Sequence, residues 1–187
     1  MNVGVWGGKG SFTEEAALKY AREKDRLSIQ IQYFNSIDNL LAALEQDQIE
    51  WAVFPTSNTI GGSVSETSEA NAHTYTLEGE YEMDIHQCLL VFPGTKPEDV
   101  QEIFSHQQPF KQSHKYIQAN YSRAVLREVN DMSVIAADIA QTKLPRTSAV
   151  IASERTAEIY NLEILAKDIQ DVNPNVTKFS VVSSKKF

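Results

Sequence analysis

The feature that most constrains this chain is the regular alternation of its first segments. "NVGVW" reads as a strand, and "TEEAALKYAREK" as a helix with acids in its first turn and bases in its last, the order a helix dipole favours. "IQIQYF" alternates like a strand. "SIDNLLAALEQ" then puts Ile37, Leu40, Leu41 and Leu44 on one helical face, and "WAVFP" reads as a short buried strand. Ser63 to Ala72 is expected to be a helix opened by a capping box of Ser63 with Glu66. Strand, helix, strand, helix, strand, helix is the signature of a mostly parallel sheet.

The pattern continues with "YEMDIHQCLLVF" as one long strand, "VQEIFSH" as a turn and strand, "QQPFKQSHKYIQAN" as a helix and "AVLREV" as a strand. "MSVIAADIAQ" reads as a helix, "SAVIAS" as a strand, "SERTAEIYN" as a helix and "NVTKFSVVSS" as a final strand. At 187 residues the chain is long for one such sheet, so two α/β lobes with a ligand cleft between them are expected. The crossings are placed near Thr76 and Asp168, giving one lobe of about 1–76 plus 169–187 and another of about 77–168.

Composition narrows the function classes. A net charge of −8 disfavours nucleic acid and anionic membrane, which both need a cationic surface. No stretch approaches the roughly 20 apolar residues of a membrane span, and the first residues lack a signal-peptide pattern. The chain is therefore read as cytoplasmic. One cysteine, Cys88, excludes an internal disulfide, and the four histidines form no metal spacing. His86 and Cys88 are expected to share a strand face, with a buried inert thiol weighed above a redox or metal role.

Two glycine-rich stretches point to an anion. Gly7, Gly8 and Gly10 lie between the first strand and first helix, with Lys9 beside them, where backbone amides and a helix N-terminus could meet negative charge. A phosphate-binding P-loop does not fit, since Val3 and Gly10 fall where it needs glycine and a hydroxyl, and Thr13 breaks the dinucleotide pattern. In "FPTSNTIGGSV", Asn58 and Thr59 stand at the carboxyl end of a strand, where ligands of open α/β sheets tend to lie. Each stretch could equally be a plain polar turn. "FSHQQPFKQSHKY" offers Ser105, Gln112, Lys111 and Lys115, and "NPNVTKF" offers Thr177 and Lys178. His106 beside Ser105 makes no catalytic triad from a neighbouring position.

Taken in order, "GGKGSFTEEAA", "PTSNTIGGSVSET", "YEMDIHQCLLVF", "SHQQPFKQSHKY", "AVIASERTAEIYNLEILAKDIQD" and "NPNVTKF" resemble the successive motifs of the prephenate dehydratase catalytic domain, nearly end to end. The resemblance implies two α/β lobes like a type II periplasmic binding protein, dimers as the usual assembly, and no metal or organic cofactor. It implies conversion of prephenate to phenylpyruvate, with loss of water and carbon dioxide, in phenylalanine biosynthesis.

By position, the resemblance implies that Thr177 is central to catalysis, with Ser105, Asn58 and Gln112 as its companions. Gly10, Ser11, Thr59, Gly62, Ser63 and Phe179 fall on substrate-binding motif positions, and Lys178 and Lys9 are the cations for carboxylates. Several positions depart from the family pattern. Ser57 replaces a glutamate, Thr59 a serine, Lys178 an arginine, and Asp131 and Met132 a Ser-Thr pair. Hydrogen-bonding groups thus survive better than charged ones, which keeps two alternatives open: a binding module with impaired catalysis, and a decarboxylase that does not aromatise its product. The chain ends at Phe187, so feedback through the regulatory ACT domain common in this family is not expected.

Overall fold

The structure, a computed structural model, describes residues 1–26, 28–64, 70 and 73–184. It contains two units, Met1–Ile85 with the chain from Val176 onward, and His86–Asn175. Each is built on its own sheet.

In the first unit, strand β1 (Asn2–Trp6) leads into helix α1 (Phe12–Glu23), then β2 (Gln30–Phe34), α2 (Ile37–Glu45) and β3 (Trp51–Asn58). The short β4 (Gly62–Ser63), the long β5 (Tyr75–Asp84) and the final β11 (Val176–Ser184) complete it. The strand order is β2-β1-β3-β11-β5, with β4 added to β3. β1 runs parallel to β2 and β3, whereas β11 is antiparallel to both β3 and β5. The sheet is therefore mixed rather than mostly parallel, because the last strand returns into its middle.

Period-two alternation sorts the sheet's residues onto two faces. Val3, Val5, Val53, Phe179 and Val181 pack with Ala16, Ala17 and Tyr20 of α1. Ala52, Phe54 and Val182 pack with Ile37, Leu40, Leu41 and Leu44 of α2, the helical face legible in the sequence. Each of these fully buried leucines contributes about 1.5–3 kcal/mol relative to exposure. Both helices start on a serine whose hydroxyl accepts a backbone N–H, Ser11 from Glu14 and Ser36 from Asn39.

The second unit holds β6 (Cys88–Val91), β7 (Glu102–Ser105), α3 (Gln107–Gln112), α4 (His114–Asn120), β8 (Val125–Glu128), α5 (Met132–Ala140), β9 (Ser148–Ala152), α6 (Glu154–Tyr160) and β10 (Glu163–Ala166). Its order is β10-β6-β9-β7-β8. β7 is parallel to β8 and β9, while β6 is antiparallel to β9 and β10, so this sheet is mixed as well. β9 lies inside the sheet and is buried at every residue.

Four expectations need correction. "YEMDIHQCLLVF" is not one strand: β5 stops at Asp84 and β6 starts at Cys88, each in a different sheet. Burial there changes from alternate residues to four consecutive ones, as the chain leaves the edge of one sheet for the inside of another. For the same reason the crossings fall after Ile85 and after Asn175, not near Thr76 and Asp168. The helix expected over Gln107 to Asn120 breaks at Ser113, which closes α3 and opens α4. Finally, Ser63 caps no helix. β1 pairs with β3 only as far as Val53, and Ser63 and Gly62 fill that vacated side of β3 opposite Ser57 and Asn58. Glu66 and most of the expected helix lie outside the described residues. Among the described residues no helix is long and apolar enough to cross a membrane.

Candidate active site

The carboxyl end of β3 and the amino end of β11 meet, with Asn58 opposite Thr177, while β1 pairs with β3 only as far as Val53. The loop after β1 is held by bonds of its own. Gly7 N–H donates to the Phe34 carbonyl at 2.9 Å and Ser11 N–H to the Gly8 carbonyl at 3.1 Å. Gly10 N–H donates to Oε2 of the buried Glu14 at 2.5 Å. Gly7 and Gly10 take φ values of 120° and 87°, the left-handed region glycine tolerates. The amides of Gly7, Gly10 and Ser11 therefore already have acceptors, and Glu14 supplies the negative charge that the loop was expected to take from a ligand. Ser11 is occupied as the α1 cap, with its Oγ 3.2 Å from Glu14 N–H. Lys9 is exposed on the same loop.

At the end of β3, Asn58 faces Thr177 directly across the β3–β11 ladder. Asn58 Nδ2 donates to Thr177 Oγ1 at 2.8 Å and to the Val176 carbonyl at 3.3 Å. Its Oδ1 accepts from the N–H groups of Ile60 and Gly61 at 2.8 and 3.0 Å. Those two backbone donors decide which end of the carboxamide is oxygen, because an amide nitrogen cannot accept from them. Asn58 and Thr177 are each 8% exposed, so this is a nearly dry contact. Thr59 is used in seating β11, since its Oγ1 accepts from Val176 N–H at 3.0 Å and its own N–H donates to the Val176 carbonyl at 2.9 Å. Gly62 and Ser63 are exposed on β4 beside Asn58 and Ser57.

Lys178 and Phe179 stand differently from their expected roles. Phe179 is 1% exposed and packs among Val3, Val5, Val53 and Tyr20, so it is a core residue and not a ligand contact. Lys178 Nζ lies 3.2 Å from Glu80 Oε2 and 3.7 Å from Glu82 Oε1, both on neighbouring β5. Glu80 raises the Lys178 ammonium above its ordinary value, through the hydrogen bond first and the charge second. The cation expected to meet a carboxylate is thus paired with two carboxylates of its own chain.

In the second unit, Ser105 ends β7 and is wholly buried, with no hydrogen-bond partner for its Oγ among the described residues. Gln112 ends α3 at 4% exposure. His86 and Cys88 do not share a face: His86 lies outside the strands, exposed and paired to Asp168 at 2.5 Å, while Cys88 is buried. Burial pushes the Cys88 thiol up to about 11, which suits an inert core thiol. Among the described residues no group of three or more His, Cys, Asp or Glu side chains could hold a metal ion.

Three residues near these positions were passed over in the sequence. Glu14 lies in a quoted motif, yet a first-turn glutamate usually reads as solvated. Gln87 and Asn175 surround Gln112, Gln87 Nε2 donating to its Oε1 at 2.9 Å and Asn175 Nδ2 at 3.1 Å. Asn175 sits two residues before Thr177, a proximity that could have drawn notice.

Among solved structures, the chain resembles prephenate dehydratase from Arthrobacter aurescens in complex with L-Phe, with a TM-score of 0.87 at 22% identity, covering 100% of this chain and 61% of that one. It also resembles a methionine-bound nutrient binding protein from Burkholderia cenocepacia, with a TM-score of 0.54 at 14% identity over 97% of this chain and 84% of that one. Both likenesses bear on fold, and they agree with two α/β units of the periplasmic binding type. In sequence the chain is 30% identical, over 98% of its length, to arogenate dehydratase 5, chloroplastic, of Arabidopsis thaliana, of which it covers 42%. It spans less than half the length of the first curated relatives it matches. The prephenate dehydratase family model matches residues 3–187, and the chain belongs to that family.

Proposed function

We propose that this chain is a prephenate dehydratase, with Thr177 as the donor to the departing hydroxyl. The observation that carries this reading is the Asn58 Nδ2 to Thr177 Oγ1 hydrogen bond of 2.8 Å. Because Thr177 Oγ1 accepts from Asn58, its own proton is directed elsewhere, and a positioned donor is what departure of a hydroxyl group requires. Prephenate carries two carboxylates and a ring hydroxyl. In the reaction the bond to the ring carboxylate breaks and releases carbon dioxide, and its electron pair aromatises the ring as the carbon–oxygen bond breaks. The leaving oxygen takes a proton from Thr177, which solvent restores. Phenylpyruvate, carbon dioxide and water are the products. The family motif supports roles for Ser105 and Gln112 as well. Thr59, Gly62 and Ser63 act by shaping the strand end around Asn58, Gly10 by shaping the loop after β1, and Lys9 supplies exposed positive charge.

The test is to mix the protein with prephenate at neutral pH, stop in alkali, and read phenylpyruvate by its ultraviolet absorbance. Wild-type turnover lost by about 10²-fold or more in Thr177→Ala supports the reading. Prephenate that binds in calorimetry but survives untouched selects the impaired binding module, and a hydroxylated non-aromatic product selects the decarboxylase.

Arogenate, which carries an ammonium in place of the ketone, is a second reading. The Arabidopsis relative is named for it, and Glu80 and Glu82 put negative charge beside Lys178. Offering both substrates and comparing kcat/KM separates the two. A cytoplasmic homodimer belongs to the same proposal and is supported by the family resemblance; sedimentation at equilibrium tests the assembly.

A further inference from the structure

Gln112 is held by a carboxamide cluster inside the second unit. Its Oε1 accepts two hydrogen bonds, from Gln87 Nε2 at 2.9 Å and from Asn175 Nδ2 at 3.1 Å. A carbonyl oxygen has two lone pairs, so this end of Gln112 is fully used. Its Nε2 makes no hydrogen bond among the described residues. The backbone around the cluster is held as well, while Gln87 Oε1 is buried with no hydrogen-bond partner among the described residues. Gln87 N–H donates to Gln170 Oε1 at 2.9 Å, and Gln170 Nε2 donates to Asn173 Oδ1 at 2.6 Å. Gln112, Gln87 and Asn175 are 4%, 2% and 0% exposed, so solvent does not compete for these bonds.

We propose that Gln87 and Asn175 are positioning residues for catalysis, holding Gln112 by its carbonyl so that its Nε2 donates to an acceptor oxygen of the substrate. A flip of Gln112 alone would press its NH2 group against two other NH2 groups, so the pair selects the donor end. The acceptor is a substrate oxygen, of a carboxylate, carbonyl or hydroxyl group, and not an ammonium, which has only protons to offer. The proposal rests on the reading of Gln112 as a residue that meets substrate, and goes beyond it by assigning orientation to two residues that need not touch substrate.

Asn175→Asp and Gln87→Glu keep shape while replacing the donor by an acceptor, which favours reversal of Gln112. Each is expected to lower kcat about tenfold or more with KM changed less than about threefold, the pattern of an interaction made in the transition state. Gln112→Ala is expected to lower kcat at least as far. If Gln112→Ala loses turnover while both acceptor variants retain it, the positioning role is wrong and the reading of Gln112 stands. If Gln112→Ala turns over like wild type, both fall. Side-chain amide NMR of the wild-type protein supplies a readout that needs no variant to fold and no turnover. Adding phenylpyruvate or prephenate should move the Gln112 Nε2 protons; movement confined to the Gln112 carbonyl carbon would mean that the whole cluster is reversed and would overturn the proposal.

Discussion

Asn58 and Thr177 are 119 residues apart in sequence and directly opposed in the β3–β11 ladder, with the Asn58 carboxamide nitrogen donating to the Thr177 hydroxyl at 2.8 Å. Two backbone N–H groups fix the far end of that carboxamide. The hydroxyl is thereby oriented by the main chain, through one side chain.

Asn58→Asp should separate this orienting role from packing. The variant keeps the Oδ1 contacts to Ile60 and Gly61 but replaces the donor to Thr177 by an acceptor, so the Thr177 proton turns back toward it. Turnover is expected to fall by about 10²-fold, on the scale of general acid catalysis. Thermal unfolding should still show one cooperative transition. Turnover within twofold of wild type would remove Asn58 from the mechanism.

Glu80→Gln should release Lys178. With one of its two carboxylate partners gone, the ammonium becomes more available to an anionic substrate, and KM for prephenate should fall about two- to fivefold with kcat little changed. An unchanged KM would mean that Lys178 meets no substrate carboxylate. The sign of the pH effect is definite. Glu80 raises the folded value of Lys178 above its unfolded value, so the pair's contribution to stability is present below pH ~10.4 and is lost as pH rises through the raised value. Because the pair is at the surface, salt should weaken it.

Cys88 should not react with a thiol reagent in the native protein at pH 8. Its thiol is pushed up to about 11 by burial, and labelling should follow the rate of unfolding. Folded Cys88 holds its proton where the unfolded thiol loses it, so stability should fall as pH rises from ~8.5 toward about 11. Burial also pushes Tyr121 up to about 12, which extends the loss in the same direction. Urea denaturation at pH 7 and pH 10 measures it, and equal midpoints would contradict the assignment.

Gly4→Ala should destabilise the first unit without touching the candidate site. A Cβ there would lie 2.5 Å from Ile49 Cδ1, 2.5 Å from Leu40 Cδ1 and 2.9 Å from Phe34 Cε2. Overpacking of this kind costs about 1–3 kcal/mol. A urea midpoint equal to wild type would show that Leu40 and Ile49 can yield.

How far the sequence could be read depended on what each residue's neighbours were. α2 was legible because Ile37, Leu40, Leu41 and Leu44 repeat at helical spacing, and the same side chains are buried. Ser63 misled because a capping box is a local signal, whereas its place on β3 depends on where β1 stops. The break at His86 and Gln87 carries neither glycine nor proline, so nothing local announces it. Asn58 was legible as a strand-end residue and Thr177 as a hydroxyl on the last strand, but not their pairing; their spacing alone says nothing of a ladder closed over such a distance. The partners of Lys178 depend on the β11–β5 register, which a bulge shifts further along the strand. Gln87 and Asn175 carry no periodic signature, and their meaning appears only once Gln112 is placed beside them.

β11 lies between β3 and β5, although all of the second unit precedes it in the chain. During synthesis, β3 and β5 must therefore wait with bare edges until the whole intervening unit has emerged. Unpaired strand edges are sites for mispairing with other chains. Thr177 arrives on the strand that closes that gap, so completion of the sheet and delivery of the proposed donor hydroxyl are one event. A nascent chain stalled short of Val176 would be both sticky and inactive for the same topological reason.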